Sequence, residues 1–355
     1  MRTTTGERLV DLAVTVFLWG FRILIVAMIV VGTYVTIRNG KYTGEQWTDF
    51  VVFGVAQGSI YALIALGYTM VYGILRMINF AHGDIFMTGA FGGYFAATWL
   101  NGIGFVDANP FFGLVIPILF AMVVSASIAM LVERIAYRPL RNAPRLVPLI
   151  SAFGASFFIE YAFRGFFGPG KYAYPTVKAL AGSWNIFGIE LLKTQVIVII
   201  AALIMMIAMY IVVMYTKVGK AMRAVSENKD TAALMGIDVN SVIVFTFAFG
   251  AAMAGAAGVL FALVYRQVDF FMGFTPGVKA FTAAVLGGIG NIPGAMVGGL
   301  VLGVFESVGP SLFLEGLGIP RAYQLKDAIA YTMLVMILLF RPQGILGERL
   351  SKQKA

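Results

Sequence analysis

Residues 58–84 read GSIYALIALGYTMVYGILRMINFAHGD. The first part, Gly58 to Gly73, is an almost unbroken apolar run. With the apolar residues before it, it reaches the roughly 20 needed to cross a bilayer core. The second part, Gly73 to Asp84, mixes apolar side chains with Asn79, His82 and Asp84 and places Gly83 as a helix breaker. Irregular backbone at membrane depth is tolerated only where protein buries it or where it lines a cavity. The stretch therefore predicts one span, an interrupted polar turn, and a second span.

Working outward, the same reading gives spans at roughly 12–37, 50–75, 83–100, 111–133, 146–167, 194–216, 242–265, 278–290, 294–313 and 325–340. The fold class is an all-α polytopic membrane helix bundle of about nine or ten transmembrane helices, with short re-entrant or broken segments. Segment 278–290 is short for a full crossing and reads as re-entrant. Segment 12–37 carries Arg22, has no small-residue cleavage site at its end, and reads as a retained helix rather than a signal peptide. Residues 1–49 read as an extra N-terminal helix with its outer loop, 50–348 as the transmembrane body and 349–355 as a basic tail. The stretch Gly168–Lys193, with Pro169, Pro175 and Trp184, reads as an outer lid, a platform for a binding protein, or an interfacial loop with aromatic anchors.

Composition agrees. Of 355 residues, 60% are apolar and only 12% charged, where a soluble domain carries about 25% charge. There is no Cys and one His, so disulfide frameworks, thiol nucleophiles and multi-His metal sites within one chain are excluded. The net charge of +9 follows from topology. Arg134, Arg138, Arg141 and Arg145, then Lys217, Lys220, Arg223 and Lys229, then Arg341, Arg349, Lys352 and Lys354 fall in one alternating set of loops. The other set, with Arg38, Lys41, Lys171, Lys178, Lys193 and Arg266, is poorer. The richer set is cytoplasmic by the positive-inside bias, which puts both termini inside. The positive charge then meets anionic membrane lipid or partner proteins, and nucleic acid need not be invoked.

A second interrupted turn, Gly287-Gly288-Ile289-Gly290-Asn291-Ile292-Pro293-Gly294, lies between two apolar runs in the C-terminal half. Broken helices at matching places in two halves point to a substrate pathway; the plainer alternative is a pair of tight turns with polar caps. Small residues recur four apart at Gly54 and Gly58, at Gly250, Ala254 and Gly258, and at Ala295, Gly299 and Gly303, a spacing that lets helices approach closely. Among ionisable groups within spans, Glu160 and Arg164 read as a pair on one helix face, Lys279 and Lys326 as snorkelling ends, and Glu306 as an acid without a local partner. Arg22 is expected to meet an acid or reach the inner surface. Residues 217–241 form the longest polar interruption on the basic side. There Asp230 is expected to cap a short helix through Ala232, Ala233, Leu234 and Met235, Gly236 to end it, and Asn240 or Ser241 to cap the next span. Such a helix suits a groove on a partner, or else lies on lipid as a connector. No GxxxxGK[ST], HExxH or GxSxG pattern occurs, so no catalytic constellation and no cofactor is implied.

The run Gly58–Gly73 with Met77–Asp84 closely resembles permeases of branched-chain amino acid ABC importers. So do ERIAYRPLR at 133–141, the loop Gly219–Gly236, KAFTAAVLGGIG at 279–290 and RPQGILG at 341–347. The resemblance covers about residues 50–348; residues 1–49 depart from it. It implies a bacterial inner-membrane importer for leucine, isoleucine or valine, worked by alternating access and driven by two separate ATP-binding subunits. A second related permease and a periplasmic binding protein complete the implied assembly. It marks Asn79, His82, Gly83, Asp84, Gly288, Gly290 and Asn291 as translocation-core residues. It marks Arg223, Glu227, Asp230, Ala232, Ala233 and Gly236 as ATPase contacts. Relatives that carry urea or short amides are the alternative within the family, and an ion-coupled secondary transporter is the alternative outside it.

Overall fold

A computed structural model describes residues 5–141, 143–144, 146–186 and 189–347. Arg145, Arg349, Lys352, Lys354 and the basic tail at 349–355 lie outside the described residues. The chain forms α1 (Thr5–Asn39), α2 (Gly44–Leu75), α3 (His82–Gly102), α4 (Phe105–Ala108), α5 (Pro110–Val132), α6 (Leu146–Phe167), α7 (Lys193–Tyr215), α8 (Lys217–Glu227), α9 (Lys229–Leu234), α10 (Val239–Tyr265), α11 (Phe274–Gly287), α12 (Ile292–Gly309) and α13 (Lys326–Phe340). Among the described residues, eight helical segments are long and apolar enough to cross a membrane. Among the expected spans, those at 83–100 and 278–290 are not in that set: they became α3 and the short α11, 14 residues and so about 21 Å at 1.5 Å per residue.

α2 and α10 are the most buried spans and form the centre. α12 packs along α2, and α3 and α5 pack against α10. α2 starts where Thr43 and Gln46 cap one another's backbone N–H groups, a reciprocal arrangement that satisfies two otherwise unpaired donors. The small-residue spacings fall on these seams. Gly54 and Gly58 face Gly299 and Gly303, Gly250 faces Gly67, and Gly258 faces Phe86 and Ala90. α1 touches the rest mainly through Gly32, which lies on the Phe313 backbone of the π-helical turn Pro310–Leu314.

One end of the bundle gathers Arg76, Arg141 and α8–α9: Arg76 Nη2 reaches the Ser226 carbonyl and Arg141 Nη1 reaches Asn240 Oδ1 at 2.6 Å. At the opposite end, residues 168–193 are partly structured. β1 (Tyr172–Ala173) joins β4 (Gln267–Val268), and β2 (Ser183–Ile186) joins β3 (Ile189–Leu192), both antiparallel.

Several local expectations change. Arg22 lies over the rings of Phe340 (3.7 Å) and Trp19 (4.9 Å) rather than against an acid, because aromatic faces solvate a guanidinium where no carboxylate is near. Arg164 likewise lies over Phe270 (5.4 Å) and Tyr161 (5.9 Å), while its charge still acts on Glu160 one turn earlier on the same helix. Lys279 does not snorkel. It is buried and donates to Glu306 Oε1 at 2.5 Å and Asp327 Oδ1 at 2.6 Å, so Glu306 has a partner 27 residues away in the chain. α9 is capped by Asn228, with Asp230 in its first turn, and α10 is capped by Asp238 rather than by Asn240 or Ser241.

Candidate functional site

α2 runs on to Leu75, yet α3 begins beside the middle of α2. The His82 ring sits against Gly67, about two turns before α2 ends, and a Cβ on Gly67 would lie 2.2 Å from His82 Nε2. The chain from Arg76 to Ala81 thus folds back into the bundle. α11 starts beside it, with Gly273, the residue before its first turn, against the Gly83 backbone.

The two interior helix starts meet. A Cβ on Gly83 would lie 2.6 Å from the Gly273 carbonyl oxygen and 3.2 Å from Gly277 Cα. Only glycine allows the backbones this approach. Helix N-termini carry partial positive charge and unpaired N–H groups, so their convergence in an apolar interior makes a polar centre. The Tyr68 hydroxyl meets the Gly83 backbone N–H. Asp84, in the first turn of α3, is buried and accepts from the Ser156 hydroxyl on α6, with Glu160 one turn further along that helix. Asn79 Oδ1 accepts from the Tyr137 hydroxyl at 2.6 Å. Three buried polar atoms here, Asn79 Nδ2, His82 Nε2 and Thr69 Oγ1, have no partner among the described residues. Phe80, Phe153, Phe281 and Tyr68 form an aromatic wall, with Phe80 stacked on Phe153 at 4.4 Å and Tyr68 edge-on to Phe281 at 6.0 Å. A centre of hydrogen-bonding groups with an aromatic side suits a small solute that is polar at one end and apolar at the other.

Asn79, His82, Gly83 and Asp84 are therefore brought together. Gly288, Gly290 and Asn291 are not part of this cluster. They form a tight turn where α11 ends, with Gly288 at φ +110° and Gly290 at φ +95°. Asn291 Oδ1 accepts from the Gly294 N–H at the start of α12, and Asn291 Nδ2 donates to the Leu346 carbonyl. The segment after α13 completes the turn, with the Ile345 and Leu346 N–H groups donating to the Leu286 and Gly287 carbonyls. Tyr68, Tyr137, Ser156 and Phe281 are members of the polar centre that sequence reasoning did not select. Ser156 had a legible signal, because it stands four residues before Glu160 on one face of a span.

At the basic end, α9 closes with the Ile237 N–H on the Ala232 carbonyl and the Gly236 N–H on the Ala233 carbonyl, around Gly236 at φ +81°. This is the left-handed ending expected of that glycine. Ala232 is buried beneath the helix, while Leu234 and Met235 are 88% and 78% exposed. Arg223 is engaged within the chain, its Nη1 donating to the Val213 and Met214 carbonyls at the end of α7. At the opposite end a cavity of about 210 Å³ opens between Tyr174, Val177, Lys178, Leu263 and Arg266.

Comparison with known proteins places the chain among transport permeases. A family model described as the permease component of the branched-chain amino acid transport system matches residues 50–339. The chain is 41% identical over 301 residues to the high-affinity branched-chain amino acid transport system permease protein BraD of Pseudomonas aeruginosa, covering 84% of this chain and 95% of that one. It is 41% identical over 305 residues to the corresponding LivH of Escherichia coli, covering 83% and 94%. A probable LivH of Methanocaldococcus jannaschii is 29% identical over 315 residues, covering 84% and 92%.

Proposed function

Since the chain belongs to the family of branched-chain amino acid transport permeases, we propose that it is the transmembrane subunit of an ABC importer carrying leucine, isoleucine or valine across a bacterial inner membrane. The meeting of α3 and α11 at Gly83 and Gly273 is the observation that carries this reading, because it puts paired helix N-termini, a carboxylate and an aromatic wall at one depth. A branched-chain amino acid has a carboxylate for the helix ends, an ammonium for Asp84, and an apolar side chain for the phenyl rings. Asn79, His82, Gly83 and Asp84 are its translocation residues. Gly288, Gly290 and Asn291 serve the same pathway indirectly, by fixing where α11 stops.

The sequence has no phosphate-cradling loop, and the curated relatives are permease proteins, so force comes from two separate ATP-binding subunits. They seat on α9, with Asp230, Ala232, Ala233 and Gly236 shaping the helix and its exposed Leu234 and Met235 making the contact. Arg223 supports the seat from beneath, and Glu227 ends α8 beside it. A periplasmic binding protein delivers solute at the opposite end, and a second related permease completes the pathway. Both termini then lie in the cytoplasm.

The test is reconstitution of the full chain with its ATP-binding subunits, second permease and binding protein in liposomes. ATP-dependent leucine uptake, competed by isoleucine and valine and unaffected by urea or short amides, is the expected result. Uptake of urea in place of leucine, or uptake driven by an ion gradient without ATP, contradicts it.

A further inference from the structure

At the basic end of the bundle a groove of about 510 Å³ opens between α5 and α10. Its floor is apolar, built from Met130 on α5 and Val244, Phe245 and Ala248 on α10. Its mouth carries two opposite charges, Arg138 and Asp238. Arg138 follows α5 in the turn Arg138–Leu140, which closes one apolar span. Asp238 stands one residue before α10, where another span begins. Both side chains are exposed. The charges therefore sit where two spans leave the membrane, and Ala248 lies about 15 Å further in along α10.

Among the described residues these two charges form no ion pair with each other, and Arg138 forms none with any other acid. Arg141 beside it is already engaged, by Glu133 and by Asn240 Oδ1. Asp238 Oδ1 accepts from the Asn240 and Ser241 N–H groups, and Oδ2 accepts from the Ser241 hydroxyl at 2.5 Å. Those Ser241 bonds first, and the Arg138 charge in addition, hold its carboxyl below the ordinary value, so it stays an anion. Each carboxylate oxygen accepts about two donors, which leaves Oδ2 room for one more. The mouth thus offers a guanidinium fork, which suits a phosphate, and a carboxylate, which suits a cation. A purely anionic headgroup would meet Arg138 but be repelled by Asp238. A headgroup with a phosphate and an ammonium joined by a short link meets both.

We propose that this groove holds one molecule of phosphatidylethanolamine, with its phosphate on Arg138, its ammonium on Asp238 Oδ2 and an acyl chain along Met130, Val244 and Phe245. Both headgroup contacts are charge-assisted hydrogen bonds. An ammonium brings three N–H donors, whereas the trimethylammonium of a choline lipid brings none, so the choline lipid loses the Asp238 bond. The bound lipid gives each unpaired charge a partner and covers the apolar floor between α5 and α10. Nothing in this site depends on which solute the chain carries.

The test is native mass spectrometry of the purified full chain with phosphatidylethanolamine, phosphatidylcholine and phosphatidylglycerol of matched acyl chains. The most tightly retained lipid should be phosphatidylethanolamine, held about fivefold or more over each of the others. Arg138→Gln should weaken retention of the ethanolamine and choline lipids alike. Asp238→Asn should bring those two lipids to near parity, because asparagine still caps α10 but carries no charge. Equal retention of the two by the unaltered chain overturns the proposal, as does a preference that survives Asp238→Asn. Stronger retention of phosphatidylglycerol also overturns it, since that makes the groove a plain basic site. Release of the lipid when the second permease or the ATP-binding subunits bind makes the groove a protein contact and overturns it too. If Arg138→Gln does not fold, the unaltered chain and Asp238→Asn decide.

Discussion

Gly58 on α2 and Gly299 on α12 lie so close that a Cβ on Gly58 would stand 2.7 Å from the Gly299 carbonyl oxygen. On the other side, a Cβ on Gly303 would stand 2.3 Å from Gly58 Cα. Lipid tails are as apolar as the helix faces, so close packing rather than water exclusion holds such a pair together. Backbone atoms cannot yield as a flexible side chain does. Gly299→Val and Gly303→Val should each cost about 1–3 kcal/mol in overpacking. The expected outcome is a several-fold fall in folded protein, measured as the monodisperse fraction extracted from membranes. Gly20→Val is the control, because a Cβ there meets nothing within 4 Å and should leave the yield unchanged.

At the polar centre, Gly83→Ala pushes a methyl group against the Gly273 carbonyl oxygen. Separating α3 from α11 by even a few tenths of an ångström displaces Asp84 and His82 together. Leucine uptake by the reconstituted transporter should fall about tenfold or more, the equivalent of roughly 1.4 kcal/mol, while the chain still assembles with its partners. Uptake at the unaltered rate counts against this junction as the path.

Leu234 and Met235 stand exposed on a short, capped helix. Leu234→Glu leaves the fold alone, since the side chain touches little, but puts a charge where an apolar contact is proposed. Loss of an interface anchor typically costs about 2 kcal/mol or more. Co-purification of the ATP-binding subunits should drop at least tenfold, with the unfolding temperature of the isolated chain unmoved. Retained co-purification places the contact elsewhere. Gly236→Val acts differently, because a β-branched residue at φ +81° is strained and the end of α9 should unravel.

A pH dependence is expected where α1 meets the body. Lys41 Nζ and the Tyr42 hydroxyl both donate to Glu315 Oε2, at 2.9 and 2.6 Å. Burial presses the Glu315 carboxyl upward, but these two partners outweigh it and hold the group below its ordinary value. A carboxyl depressed in the folded state contributes stability above the ordinary carboxylate range, and that stability is lost as pH falls through the depressed value. Trp47 packs edge-on to Tyr42 at 5.3 Å and reports the clasp. In a chain keeping Trp47 as its sole tryptophan, emission should shift as acidification passes below the ordinary carboxylate range. In Glu315→Gln the shift should be absent, and a persistent shift assigns it to another group.

Much of this architecture was legible in the chain. Hydropathy located the spans because the membrane demands about 20 apolar residues per crossing. The spacings at Gly54 and Gly58 and at Ala295, Gly299 and Gly303 marked helix faces that pack closely, and Gly83 marked an interrupted helix. What periodicity could not give was depth and partnership. Nothing local says that the chain after Leu75 climbs back to Gly67, or that Lys279 finds Glu306 and Asp327, because those pairings join residues far apart in sequence. Arg22 and Arg164 went to aromatic rings for the same reason: the rings of Phe340 and Phe270 come from other elements. Asn228 and Asp238 took the capping positions because the helices begin a residue or two earlier than the apolar pattern suggested.

The backbone bonds from Ile345 and Leu346 to Leu286 and Gly287 have a bearing on biogenesis. The bend between α11 and α12 is inserted long before its closing strap leaves the ribosome, and α13 must be threaded into the bilayer in the interval. Until then two carbonyls at the foot of α11 await their donors. A chain ending before Gln343 would leave these two carbonyls without their donors, so this bend is completed only by residues translated after the final crossing.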